Sequence, residues 1–352
     1  MSQETEIKET KEKKVKGEKA EKPVADTPEA KLEALRARLN KDYGKGSHMK
    51  ATQKGDLMDT ISTGSYTLDK ATGIGGIPNS GCLVELLGWE SCGKSTALLT
   101  VMANALKKSP DKRAGLFDGE HSFSKKYAKS LGMDIERLDI FQPTCGEEAY
   151  DMLKEIADSG LYCVIGVDSQ TSLKPRKVVE GKMETSHLGV EARMMGDAVP
   201  KMLNAAARNN IPILVISQFR EKIGVMFGSP ETTSGGHALK YYAHMRIRFS
   251  NNKDKKNDEV VGVKNKVVVV KNKYAAPFGV AEYAIKFGEG PDNIQEIADM
   301  AIDAGIVTAS GAWCYYKDLK FNGKEALKEA FIDNPEFYEE IKLKVLSDET
   351  IL

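Results

Sequence analysis

The chain has 352 residues, 41% hydrophobic and 29% charged, enough apolar material for a sizeable core in one large domain or two. Its 51 basic and 51 acidic side chains cancel, so attraction to a polyanion has to come from a local patch and not from a global field. No window approaches the roughly 18 consecutive apolar residues of a membrane span, no apolar signal segment opens the chain, and five cysteines without metal-ligand spacing fit buried thiols in a reducing cytoplasm.

Residues 1–26 are dominated by Lys and Glu, cannot bury enough surface to order themselves, and are expected to form a flexible leader. Thr27-Pro28-Glu29 then starts a helix with an N-cap, a proline at the first helical position and an early acid. Leu32, Leu35 and Leu39 give that helix one thin apolar stripe, suited to docking on a neighbouring subunit, so residues 27–58 read as an interface segment. Between residues 59 and 290 the pattern alternates, with strands expected at 83–87, 114–117, 138–141, 163–167 and 213–217 and helices at 96–107, 124–131, 147–159 and 190–208. Such alternation implies βαβ crossovers and an α/β fold with a mostly parallel central sheet, whose ligands sit beyond the carboxyl ends of the strands. Strands at 245–249, 264–270 and 282–287, with a polar turn over 251–258, extend the sheet in antiparallel fashion. Residues 291–352, with helices at 296–304 and 324–332, are expected to form a small α+β C-terminal domain.

The apolar run at 83–87 breaks into Gly88-Trp89-Glu90-Ser91-Cys92-Gly93-Lys94-Ser95-Thr96, the phosphate-cradling pattern G-x-x-x-x-G-K-[ST]. The glycines let consecutive backbone N–H groups converge on phosphate oxygens, and the following helix points its positive end at the same anion. Lys94 supplies a point charge between the β- and γ-phosphates, and the Ser95 hydroxyl can ligate Mg²⁺. ATP with Mg²⁺ is therefore the expected ligand. Asp168 ends the apolar run 163–167 and would hold the Mg²⁺ through water. Glu120, in Asp118-Gly119-Glu120-His121, faces the same crevice; it either activates the attacking water or complements the helix dipole ahead of Ser124. Tyr127, one turn into that helix, could stack on a base or pack at the surface.

Gln218 opens a glycine-rich stretch reaching Gly236, read here as a long mobile loop and not a strand. Arg220 and Lys222 bracket the apolar Ile223, Val225, Met226 and Phe227, a combination of charges for phosphates and wedges for bases that suits single-stranded nucleic acid. A lid over a small substrate is the competing account.

Together these pieces resemble the bacterial RecA family of DNA strand-exchange recombinases. The strings Thr60-Ile61-Ser62-Thr63-Gly64-Ser65, the P-loop, Asp118-Gly119-Glu120-His121, Ala192-Arg193-Met194-Met195, Lys222-Ile223-Gly224-Val225-Met226-Phe227-Gly228, Pro230-Glu231-Thr232-Thr233 and Lys271-Asn272-Lys273 carry the resemblance, which continues through Gly311-Ala312-Trp313 and Asp333-Asn334-Pro335. It implies a DNA-dependent ATPase of recombination and repair with a RecA-like core, forming a homo-oligomeric helical filament on single-stranded DNA and pairing it with homologous duplex. Single-strand-binding and loader proteins are further partners it brings to mind. By the same resemblance Glu120 activates water and Gln218 senses the γ-phosphate. Loop one, about 180–188 and ending at Leu188, and loop two, about 219–236, line the filament axis. Ile223 would wedge between nucleotide triplets, while Arg193, Arg220, Gly235 and Gly236 would contact phosphates; Lys271 and Lys273 would reach the neighbouring subunit's ATP.

The chain departs from the family pattern in four places. Ser124 stands where an aspartate near the adenine is common, Pro200 replaces a basic DNA contact and is expected to kink its helix, and Trp89 fills a P-loop position usually small or proline. The last residues, 347–352, lack a long acidic tail, from which less restrained duplex invasion is expected. Two other readings compete, a ring-forming helicase and a nucleotide-binding mediator without hydrolysis. The first wants an arginine finger and a separate N-terminal domain; Lys94 with Glu120 argues against the second.

Overall fold

The computed structural model describes residues 27–43, 58–182, 189–221, 231–233, 236–256 and 259–347. The leader therefore lies outside the described residues, as do Leu188, Lys222, Ile223, Gly235 and the chain end. The first helix, Pro28–Tyr43, belongs to a unit of its own. It starts as its sequence suggests, the Thr27 hydroxyl accepting a hydrogen bond from the Ala30 N–H at 3.3 Å. Leu32 and Leu35 stand exposed on it.

The second unit is built on one large sheet. In spatial order its strands are Gly290–Pro291, Val280–Lys286, Glu259–Asn272, Met245–Lys256, Leu83–Gly88, Ile213–Glu221, Tyr162–Asp168, Arg113–Asp118 and Leu138–Phe141. The last six run parallel to one another and the first three are antiparallel extensions. Both faces of the parallel part are covered, which is why its strands read as unbroken apolar runs. Leu214 and Ile216 join the core under helix Lys94–Lys108, while Ile213 and Val215 join the core under helices Gly146–Ser159 and Val190–Asn209. Each such fully buried aliphatic side chain is worth about 2 kcal/mol against solvent exposure. The second of these covering helices continues through Pro200 to Asn209 as one element.

Two expectations need correction. The stretch after Gln218 is not loop from its first residue: Phe219–Glu221 continue the strand and pair antiparallel with Glu231–Thr233, so loop two stands on a two-stranded ribbon. The polar run 251–258 is not all turn either, since Met245–Lys256 stays paired with Glu259–Asn272 through two shifts of register. Backbone pairing tolerates any polar side chain on a solvent-facing extension, so hydropathy does not reveal where such strands end.

Beyond the sheet, helices Asn293–Asp303, Gly323–Asp333 and Pro335–Ser347 surround a separate core of Ile297, Leu327, Phe331, Phe337 and Ile341. A small antiparallel sheet, Thr308–Ser310, Trp313–Tyr316 and Leu319–Phe321, lies beside them. The sheet agrees with the expected α+β character of this region, but the sequence places neither its strands nor the last helix, although Asn334 caps that helix through the Phe337 N–H at 3.1 Å and Pro335 occupies its first position.

Glu296 ties this region to the core. Its carboxylate accepts from Ser65 Oγ (2.5 Å), Thr67 Oγ1 (2.6 Å) and the Tyr66 and Thr67 N–H groups (3.2 and 3.3 Å) at the start of helix Tyr66–Ala71. Burial raises the carboxyl above its usual range, with the same donors pulling it back. Glu296→Ala orphans several of these donors at once, and an expected loss of about 3 kcal/mol in chemical denaturation measures the tie; a loss under about 1 kcal/mol would mean that water replaces the carboxylate.

Candidate nucleotide and DNA site

Register alone assembles the site. Gly88 pairs with Gln218 and Asp118 with Asp168, so four adjacent parallel strands end at the same edge of the sheet. The P-loop leaves the first of them. Gly93 caps the following helix with a left-handed φ of 85°, and a Cβ there would lie 2.6 Å from Ile285 Cδ1 and 2.7 Å from Asn265 Nδ2. Only glycine fits that turn. Ser91 has a positive φ of 57°, and its carbonyl accepts from Asn251 Nδ2 at 2.6 Å, so the neighbouring strand Met245–Lys256 steadies the loop. Glu90 and Ser95 are exposed, Cys92, Lys94 and Thr96 buried. The Lys94 ammonium donates to the Trp89 carbonyl at 2.5 Å and to Cys92 Sγ at 3.5 Å.

Three carboxylates converge beside Lys94. Burial pushes Asp168 up to about 6, a shift aided by the charges of Glu120 and Asp118 and opposed by a hydrogen bond from Ser95 and by the Lys94 charge. Glu120 Oε1 accepts from Ser169 Oγ at 2.5 Å and from Gln218 Nε2 at 2.8 Å. The following helix is capped not by Glu120 but by Ser124, whose hydroxyl accepts from the Tyr127 N–H at 3.3 Å. Asp118, buried, accepts from the Ser122 and Phe123 N–H groups at 3.1 and 3.2 Å and so shapes the turn that presents Glu120. Asp118 and Ser169 were not singled out by sequence reasoning; both sit within two residues of a chosen acid and only the fold distinguishes their work.

A cavity of about 320 Å³ opens beside the P-loop, lined by residues 91–96, Tyr127, Val263, Ile285, Phe287 and Gly288. The Tyr127 hydroxyl hydrogen bonds Thr96 Oγ1 at 2.7 Å, which fixes the ring at the cavity wall. Val263 and Ile285 come from the antiparallel strands and Phe287 from the turn after the second of them; none carries a motif, so nothing in the one-dimensional pattern marks them. Phe287 is largely exposed.

Lys271 and Lys273 lie at the other end of the sheet. Lys273 N–H donates to the His244 carbonyl (2.9 Å) and His244 N–H to the Leu83 carbonyl (2.8 Å), which places the pair at the Leu83 end of the strand that ends in Gly88. Five steps at about 3.3 Å each put them roughly 17 Å from the same chain's P-loop. Lys271 donates to the Lys240 and Tyr241 carbonyls at 2.8 and 2.9 Å. Burial, Lys273 and Arg246 hold its ammonium below the usual range.

At the foot of loop two Arg220 is exposed. Gly236, with φ of 73°, abuts the first turn of helix Val190–Asn209: a Cβ there would meet Ala192 Cβ at 2.8 Å. Arg193, the next residue, is exposed, so Gly236 and Arg193 share one corner of the molecule.

A phosphate-binding loop, an acid closing a parallel strand and a second carboxylate between them define a P-loop nucleoside triphosphatase of the α/β type. The family described as RecA N-terminal domain matches residues 30–292 and that described as RecA C-terminal domain matches residues 295–348. Curated relatives called Protein RecA are similar along nearly their whole length. The one from Rhodospirillum rubrum is 44% identical over 317 residues, 88% of this chain and 85% of that protein. Those from Thermus thermophilus (43% over 325 residues; 91% and 94%) and Cytophaga hutchinsonii (42% over 330; 91% and 92%) are alike. The chain belongs to the RecA family, and is a homologous-recombination protein and DNA-dependent ATPase that binds ATP and DNA and assembles into filaments. Among its described residues no helix is long and apolar enough to cross a membrane.

Proposed function

We propose that the protein works in the cytoplasm, loads first on single-stranded DNA, and tests it against homologous duplex, with sequence read by base pairing. The observation that carries this reading is the 2.8 Å bond from Gln218 Nε2 to Glu120 Oε1. It joins the carboxylate suited to activating water to the strand that becomes the root of loop two. ATP occupies the cavity beside the P-loop, its phosphates on the N–H groups of residues 91–96 and its base toward Tyr127 and Phe287. Lys94 exchanges the Trp89 carbonyl for phosphate oxygens. Glu120 takes the proton of the attacking water, and Gln218 exchanges Glu120 for the γ-phosphate.

The donor set fits Mg²⁺. Ser95 and Asp168 already share a hydrogen bond, and both offer hard oxygens. Among the described residues no three His, Cys, Asp or Glu side chains could hold a metal by themselves, which suits an ion that keeps water and phosphate ligands. When bound there, Mg²⁺ neutralises charge on the β- and γ-oxygens. Arg193, Arg220 and Gly236 bind DNA phosphates, and the family resemblance assigns DNA contacts to Lys222, Ile223, Gly235 and Leu188 as well. Lys271 and Lys273 serve the neighbour's ATP, a role their distance from their own P-loop supports.

ATPase activity with and without single-stranded DNA, followed by electron microscopy with a slowly hydrolysed analogue, tests the whole reading. Stimulation by single strands together with regular filaments is expected; stimulation by duplex alone would overturn the single-strand assignment. Lys271→Ala is expected to reduce DNA-stimulated turnover by about a hundred-fold and to regain part of it when mixed with Lys94→Ala subunits. Mixtures no more active than their parts would place the lysine's role within its own subunit.

A further inference from the structure

The Trp89 side chain is not explained by phosphate binding, which uses its backbone. Its ring meets Phe219 edge-on, centroids 5.9 Å apart and planes at 62°, and the Arg248 guanidinium lies over the same Phe219 ring at 5.4 Å. Both separations fall within the range of attractive aromatic and cation–π contacts. The three residues come from three adjacent strands or their ends: Leu87 pairs with Arg248, and Gly88 with Gln218, immediately before Phe219.

We propose that Trp89 and Phe219, steadied by Arg248, are positioning residues that transmit occupancy of the P-loop to loop two within one subunit, alongside Gln218. Three observations give the stack two mechanical ends. The Trp89 carbonyl holds the Lys94 ammonium, so movement of Lys94 to a phosphate releases the residue whose ring rests on Phe219. Gly88 lets the loop leave against the neighbouring strand, where a Cβ would sit 2.5 Å from the Phe249 carbonyl, so the backbone just before Trp89 is held at a tightly packed point. At the far end Phe219 pairs with Thr233, so displacing it shifts both roots of the ribbon that carries loop two. Coupling of this kind needs an element whose position differs between the nucleotide states, and the Lys94–Trp89 bond provides it.

The inference rests on loop two being a DNA site. The chain contains two tryptophans, so Trp313→Phe leaves Trp89 as the sole reporter. In that full-length background, Trp89 emission is expected to change on adding a non-hydrolysable ATP analogue and to change again with oligothymidylate; the second change disappears in Phe219→Leu. Trp89→Ala and Phe219→Leu are each expected to lower the ratio of DNA-stimulated to DNA-free ATP turnover by about five-fold, with no further fall in the double variant. Trp89→Phe retains the ratio. Multiplicative losses in the double variant, or a second emission change that survives Phe219→Leu, would overturn the coupling. Arg220→Ala separates the two levels of argument. If it binds oligothymidylate as tightly as the parent, the loop-two assignment fails; if it binds weakly while Trp89→Ala and Phe219→Leu keep the parental ratio, only the coupling fails.

Discussion

Lys94→Ala is expected to lower ATP turnover by about a thousand-fold, with and without DNA. The size follows from its surroundings. Lys94 is 6% exposed and, among the described residues lining the cavity, is the one cation. Asp118, Glu120 and Asp168 stand nearby. Without the ammonium, a triphosphate enters a pocket whose remaining local charge is negative, so binding weakens as well as the chemical step. Folding should be spared, because the bonds the side chain gives up go to the P-loop's own Trp89 carbonyl and Cys92 sulfur. Steady-state hydrolysis at saturating ATP, with circular dichroism as the control for folding, measures the effect. Turnover within ten-fold of the parent would remove Lys94 from the phosphate site.

The parts of this protein that were legible in its sequence are those where local chemistry and fold coincide. The P-loop is contiguous, needs glycine at Gly93 for backbone reasons, and sits where an apolar strand meets a helix. Asp168 ends one strand and Glu120 lies two residues past the end of its neighbour, so the parallel alternation alone puts both at one edge of the sheet. What stayed hidden depends on pairing between distant segments. Ile285, near the end of a strand, and Phe287, in the turn after it, reach the nucleotide cavity from nearly two hundred residues beyond the P-loop. Asn251 reads as part of a polar turn, yet it lies in a strand and holds the Ser91 carbonyl. Likewise the contact of Trp89 with Phe219 exists only because their strands are neighbours in space. Lys271 and Lys273 are a different case: a valine strand ending in lysines reads as solubilising charge, and the fold only says which P-loop they cannot reach.

Glu120→Gln is expected to abolish hydrolysis, by about a thousand-fold, while preserving ATP-dependent assembly on single-stranded DNA. The glutamine carbonyl can still accept from Ser169 Oγ and from Gln218 Nε2, so the link at the root of loop two persists. What it cannot do is take a proton from water. It also removes one of the charges that push Asp168 upward, so the nucleotide-bound state loses no electrostatic support and gains some. Filaments formed with ATP should then dissociate as slowly as those formed with a non-hydrolysable analogue, because the γ-phosphate proposed to draw Gln218 away from residue 120 is never removed. Fluorescence anisotropy of a labelled oligonucleotide, chased with unlabelled competitor, reads the lifetime directly. If DNA binding disappears together with hydrolysis, the carboxylate serves to hold Gln218 and Ser169 in place, and the water-activating base has to be sought elsewhere at this edge of the sheet.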